Sequence, residues 1–495
     1  MQLRSFFDET IIMFDLKKIK YNQLGFFRFK KLKNKYLLTN DAGEYLFLTE
    51  KEFGDFLNDN LKKDGEPYLS LKEKNFLKNE LNLTGLAGRY RSKKSFLQGG
   101  PSLHIIVVTL RCNHKCVYCH ASAQTMEKEG YDMSEKTAKE VIEKIFQTTS
   151  HFVAIEFQGG EPLVNWPIVQ YIIEESYKRN EKARKDLEIR LVSNFSLMDE
   201  KKFKYLLDKK VGLCISLDGP EKIHNKNRIL IGDKAGSYYY AAKWAKKFFK
   251  LYPKLVKKGY IFKMGVAITV SRFSLSYYKQ MIDEYLKLGF DDIYLRPLNP
   301  FGFSKKHFQK IGYSAGEYIK FYRNALNYII ELNLKKKKKI RERMARTFLI
   351  KILTETDPNH LDLRSPCGAG IGQLAYNYNG DIYTCDEGRM LSMMDDKSFY
   401  LGNVQDSSYQ DIVGNPVVRT MCLASCLEGL PYCENCAYNP YCGVCPIFNY
   451  SEQGNIFGQM PTNERCQINM AILDFLFEKL EDKKTKLILE SWLKR

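Results

Sequence analysis

A chain of 495 residues, 44% of them hydrophobic, has material for two to four domains with cores of their own, and no apolar run reaches the length of a membrane span. The formal charge is +19, but the Lys run at 335–339 has no interleaved aromatics, which reads as a solvated surface and argues against nucleic-acid binding. Thirteen cysteines, an odd count, follow an N-terminus (MQLRSFFDETIIMFDLKK) without the apolar core and cleavage site of a signal peptide; together they predict a cytoplasmic protein that uses its thiols for metal, not disulfides.

Residues 1–97 form the first expected unit, a small α+β domain. Phe26–Phe29, Tyr36–Leu38 and Tyr45–Leu48 read as short strands, with a turn at Asn40–Gly43. Thr49 and Glu52 have capping-box spacing and open a helix through Leu57. Nothing here separates a peptide-holding domain from a structural extension.

Residues 98–304 alternate strands with amphipathic helices. The strand runs are His104–Thr109, Phe152–Phe157, Leu187–Val192, Leu213–Leu217, Lys263–Val270 and Ile293–Leu298; the helical ones include Ser134–Phe146, Ile168–Arg179, Ser237–Leu251 and Ser274–Leu288. Such alternation predicts an α/β fold with parallel strands, and six units suit a partial (β/α)6 TIM-like barrel. The loop after the first strand holds Cys112, Cys116 and Cys119, spaced C-x3-C-x2-C, with Tyr118 just before the last. Three thiolates hold three irons of a cubane and leave the fourth iron without a protein ligand. Polar residues gather at the later strand ends: Gln158-Gly159-Gly160-Glu161-Pro162, Ser193-Asn194, Ser216-Leu217-Asp218-Gly219-Pro220 and then Asn227-Arg228. Arg296, at the sixth, is a further candidate for binding a carboxylate. His120 reads as a hydrogen-bonded loop histidine, with contact to cluster or cofactor as the other possibility.

These motifs together resemble the radical S-adenosyl-L-methionine (SAM) superfamily. The resemblance implies that Cys112, Cys116 and Cys119 ligate a [4Fe–4S] cluster whose open iron is chelated by SAM. An electron from that cluster then cleaves SAM to a 5'-deoxyadenosyl radical. It further implies that Glu161 of the Gly159-Gly160-Glu161 motif meets the SAM amino group. Tyr118, Gln158, Ser193, Asn194, Ser216, Asp218 and Arg228 complete the cofactor site.

Residues 305–364 carry two helical patterns, Gly316–Leu332 and Arg341–Leu353, and read as a helical linker in which Tyr318, Phe321, Tyr322 and Tyr328 are core. Residues 365–495 hold Cys367, Gly380-x4-Cys385, Cys422, Cys426, then Cys433-x2-Cys436-x5-Cys442-x2-Cys445, and Cys466. Paired zinc ribbons are one reading of C-x2-C pairs. The order also resembles the SPASM domain of radical SAM enzymes that modify peptides and proteins, except that Cys442 and Cys445 are one residue closer than in that pattern. This resemblance implies two auxiliary [4Fe–4S] clusters. One would use Cys433, Cys436, Cys442 and Cys466. The other would use Cys367, Cys385 and Cys445, with Cys426 as fourth ligand or with an iron left open. Cys214 and Cys422 are spare. Asp386 is a candidate catalytic base by similarity to anaerobic sulfatase maturases, or else a turn aspartate. The segment CLEGLPYCENCAYNPYCGVCP is closest to the B-type radical SAM maturase of His-Xaa-Ser systems. That implies a small ribosomal precursor peptide, a second radical SAM maturase and an external electron donor as partners. The rival expectations are a sulfatase-maturase-like enzyme and a non-catalytic iron–sulfur or zinc protein.

Overall fold

The computed structural model describes residues 19–336, 339–358 and 361–494. The N-terminal stretch read for a signal peptide, and Lys337 and Lys338 of the Lys run, lie outside the described residues. No helix among the described residues is long and apolar enough to cross a membrane.

The first unit is an antiparallel meander of β1 (Arg28–Leu32), β2 (Lys35–Thr39) and β3 (Tyr45–Thr49). β1 begins later than the apolar cluster suggests, because Lys33, at φ 55°, closes a turn that pairs Leu32 with Lys35. Thr49 caps the helix Glu50–Leu57 through the expected box: the Glu52 amide donates to Thr49 Oγ1 at 3.3 Å and the Thr49 amide donates to Glu52 at 2.7 Å. Tyr36 of β2 stacks on Phe53 of that helix at 4.3 Å, which joins sheet and helix in one small core.

Next come β4 (Leu103–Val107), β5 (His114–Cys116), β6 (Phe152–Gln158), β7 (Asp186–Ser193), β8 (Gly212–Ser216), β9 (Arg228–Leu230) and β10 (Gly265–Ala267). β4, β6, β7, β8 and β10 are adjacent and parallel, in chain order across the sheet. Their side chains are apolar on both faces, as a parallel sheet covered by helices requires; Ile106, Val107, Val153, Ile155, Phe157, Leu191 and Ile215 are all buried. The sixth expected strand shrinks to β11 (Asp292–Ile293), paired with β12 (Arg341–Glu342). Pro297 and Pro300 lack the amides a ladder needs, so the chain beyond is irregular, although the Arg296 carbonyl still accepts the Val270 amide at 3.0 Å.

The cysteine-rich C-terminal region extends this same sheet. β13 (Gln373–Tyr376) lies parallel to β4, and β14 (Asp381–Tyr383) and β15 (Tyr400–Asn403) continue it antiparallel. Helices Ala315–Lys336, Arg343–Leu353 and Glu464–Leu480 pack together beside it. Tyr318, Phe321 and Tyr322 are core as expected, and Tyr328 packs half-buried against them. Helix Phe303–Ile311 runs across the boundary expected at 304.

Candidate functional site

The carboxyl ends of β4, β6, β7 and β8 converge on the loop that bears the first three cysteines. That loop is tied down from three sides. The Cys112 amide donates to the Gln124 carbonyl at 2.9 Å. β5 pairs with β9 so that Cys116 stands opposite Arg228. The Gly160 and Glu161 amides donate to the Thr109 and Arg111 carbonyls, each at 2.9 Å. Glycine is required here: a Cβ on Gly160 would lie 2.3 Å from the Arg111 carbonyl oxygen, and Gly159 has φ +124°.

The residues fit an iron–sulfur cluster. Backbone amides already point at two of the three sulfurs, His114 N–H at Cys112 Sγ (3.4 Å) and Ala123 N–H at Cys119 Sγ (3.4 Å). Burial raises all three thiols above their usual range, Cys116 to about 12, so a bound metal has to stabilise the thiolates.

Glu161 is buried beside this loop. Its carboxylate accepts from Ser193 Oγ (2.8 Å), the Leu163 amide (3.1 Å) and the Asn194 amide (2.8 Å). Burial pushes its pKa up to about 7, and those same donors oppose the rise. Ser193, Asn194 and Glu161 thus meet, as the motifs suggest. Gln158 Nε2 turns back to Glu156 at 2.6 Å, and Ser216 is buried at the end of β8.

Asp218 is fully buried and serves as the hub of a clamp. Tyr118 donates its hydroxyl to it; Arg228 Nε pairs with it at 3.1 Å and Nη2 donates at 3.2 Å; Asn227 Nδ2 (3.3 Å) and the Thr269 amide (3.1 Å) complete its shell. Burial works against the Arg228 charge, but Asp218 and then Tyr118 outweigh it and hold the guanidinium above its ordinary pKa. This shell positions Arg228 and Tyr118 beside the cluster loop.

Sequence reading missed a second chain of polar groups. Asn194 Nδ2 lies 2.9 Å from His114 Nδ1; His114 Nε2 and His224 Nε2 each meet Ser237 Oγ at 2.8 Å; and His224 Nδ1 accepts the Asp218 amide at 3.1 Å. Burial lowers His114 to about 3, so it acts as a neutral hydrogen-bonding group. No local motif marks Ser237, which comes from the start of helix Gly236–Lys257. His120, expected to be hydrogen-bonded, keeps Nε2 buried without a partner among the described residues, and burial lowers it to about 3.

The C-terminal thiols form two groups. Burial, and then Cys442, Cys466 and Cys436, raise the Cys433 thiol, so these four stand together. Asn469 Nδ2 reaches Cys442 Sγ at 3.8 Å. Cys367, Cys385 and Cys445 line one small cavity with Asp362, Glu387 and Met421. Cys426 does not line it; its thiol lies beside Glu428 and Lys94. Among the described residues, no three His, Cys, Asp or Glu side chains close around a single metal ion. Asp386, just after Cys385, is buried and ion-paired with Arg389 Nε at 2.7 Å. Arg296 pairs with Glu387 at 3.3 Å.

Residues 106–261, which span the cysteine loop, the glycine motif and Asp218 with Tyr118, Asn227 and Arg228, match the model of the Radical SAM superfamily. The chain carries a radical SAM domain. The superfamily implies a [4Fe–4S] cluster and SAM, and its members are enzymes. A radical SAM cyclopropyl synthase, TigE, of Paramaledivibacter caminithermalis is 26% identical over 39% of this chain and 42% of that protein. A cysteine-type anaerobic sulfatase-maturating enzyme of Clostridium perfringens strain 13 is 24% identical over 77% of this chain and 97% of that one. The structure of native anSMEcpe with bound AdoMet and the Kp18Cys peptide superposes with a TM-score of 0.63 at 19% identity, covering 78% of this chain and all of that one. The covered part of this chain shares that fold.

Proposed function

We propose that this radical SAM enzyme is a peptide maturase of the His-Xaa-Ser type, cytoplasmic, carrying two auxiliary [4Fe–4S] clusters besides the first and modifying a ribosomally synthesised peptide by oxidative cross-linking or related side-chain chemistry. The observation that carries this is the grouping of ten thiols: three on the open loop, four around Cys433 and three on one cavity. The cluster and SAM, when bound, supply the 5'-deoxyadenosyl radical. The chain supplies the rest. Glu161 receives the SAM ammonium, Tyr118 and Arg228 are fixed by Asp218 beside it, and the buried His114–Ser237–His224 chain keeps the loop in one geometry.

The N-terminal meander suits a leader-peptide holder because it sits against the second thiol group. Thr39 Oγ1 donates to the Ala437 carbonyl at 2.8 Å, and Tyr441 donates to the Gly43 carbonyl at 3.1 Å. Asp386, held by Arg389, is the proposed base or positioning group for the substrate. A second radical SAM protein and an external electron donor belong to this reading.

The near-complete coverage of the Clostridium perfringens enzyme favours one alternative, a sulfatase maturase. Anaerobic co-expression separates the two. A mass decrease on a small His-Xaa-Ser peptide supports the proposal; conversion of a sulfatase cysteine, with the peptide unchanged, contradicts it.

A further inference from the structure

Asp362 lines the cavity shared by Cys367, Cys385 and Cys445, and among the described residues its carboxylate has no hydrogen bond or ion pair. Glu387, the other carboxylate lining the cavity, is engaged with Arg296 at 3.3 Å. Three thiolates would repel this carboxylate; the Arg296 guanidinium, which also faces Asp362, offsets part of that, and a metal bound among the thiols would offset the rest. The backbone holds Asp362 in place. A Cβ on Gly443 would sit 2.4 Å from the Asp362 carbonyl oxygen, so the segment that carries Asp362 is pressed against the run that delivers Cys445. Cys367, a few residues on, is anchored by its amide to Ser425 Oγ at 2.9 Å.

A [4Fe–4S] cluster takes four ligands, and the cavity offers three thiols. We propose that the Asp362 carboxylate is the fourth ligand of the auxiliary cluster held by Cys367, Cys385 and Cys445. The proposal rests on the auxiliary-cluster reading above. It replaces Cys426, whose thiol stands outside the cavity beside Lys94. Glu387 lines the same cavity but is held by Arg296. An oxygen ligand makes one iron of that cluster distinct from the other three and easier to lose.

The test uses the full chain with Cys112, Cys116 and Cys119 all changed to Ala, reconstituted anaerobically, so that only auxiliary clusters contribute. This parent should bind about eight irons per chain. If it binds zinc or about half that iron, the auxiliary-cluster reading fails, and the proposal with it, before Asp362 is touched. With two clusters present, Asp362→Ala should change the Mössbauer spectrum of one iron and let added cyanide bind there. Asp362→Cys should give four-thiolate character with no cyanide binding. Cys426→Ala and Glu387→Gln should match the parent. If Asp362→Ala loses the cluster outright, its restoration in Asp362→Cys supports the assignment, and failure to restore it counts against. An unchanged spectrum in Asp362→Ala, or the change appearing in Cys426→Ala, overturns it.

Discussion

On the proposed reading, single residues set how the first cluster and SAM meet. Glu161 is buried with a carboxyl pushed up to about 7. Only the ionised form pairs with an ammonium, so SAM affinity should weaken as pH falls through about 7; anaerobic titration calorimetry at several pH values reads this. The native state binds that proton more tightly than the unfolded chain does. The SAM-free protein should therefore lose stability as pH rises from the ordinary carboxylate range through about 7. Glu161→Gln should remove the pH dependence along with most of the affinity. Gly160→Ala should prevent the first cluster from forming, since the new Cβ meets the Leu110 and Arg111 carbonyls, which are backbone atoms with nowhere to go. Arg228→Met leaves Asp218 buried without its cation, and such a loss costs about 3–5 kcal/mol, measurable in denaturant unfolding. The Gln158–Pro162 motif was legible because it is contiguous. The shell of Asp218 was not: Tyr118, the pair Asn227-Arg228 and Thr269 come from three separate segments, and only the folded sheet brings them to one carboxylate.

At the scale of elements, five of the six expected strands form, because runs of β-branched and aromatic residues between amphipathic helices have few other ways to be buried. The sixth gives way where Pro297 and Pro300 remove donors. What no local pattern announced is that β13, more than 260 residues after β4, completes β4's open edge. Pairing across that distance leaves no periodic trace in either strand. It has a consequence for dissection. A fragment of residues 98–304 exposes the whole β4 edge, with Ile105 and Ile106 beside it, and should aggregate. A fragment extended to residue 480 should stay monodisperse in size-exclusion chromatography.

For the molecule as a whole, the thiols of the cysteine loop, of the Cys433 run and of the Cys367 cavity form three groups, and the N-terminal meander is fastened to the run that bears Cys433 by side-chain hydrogen bonds. The division of the C-terminal thiols was what the resemblance implied, since spacing alone left zinc ribbons open. The place of Cys426, outside the cavity that Cys367, Cys385 and Cys445 line, was not legible, since its neighbour Lys94 arrives from a distant part of the chain. The account turns on an iron in the first cluster left free for SAM. Its most direct test is 5'-deoxyadenosine formation by the full chain, reconstituted anaerobically with iron and sulfide and reduced with dithionite in the presence of SAM. The account predicts 5'-deoxyadenosine well above background from the unaltered chain and none from Cys119→Ala. Its absence from protein whose clusters are intact, or equal amounts from both proteins, would contradict it.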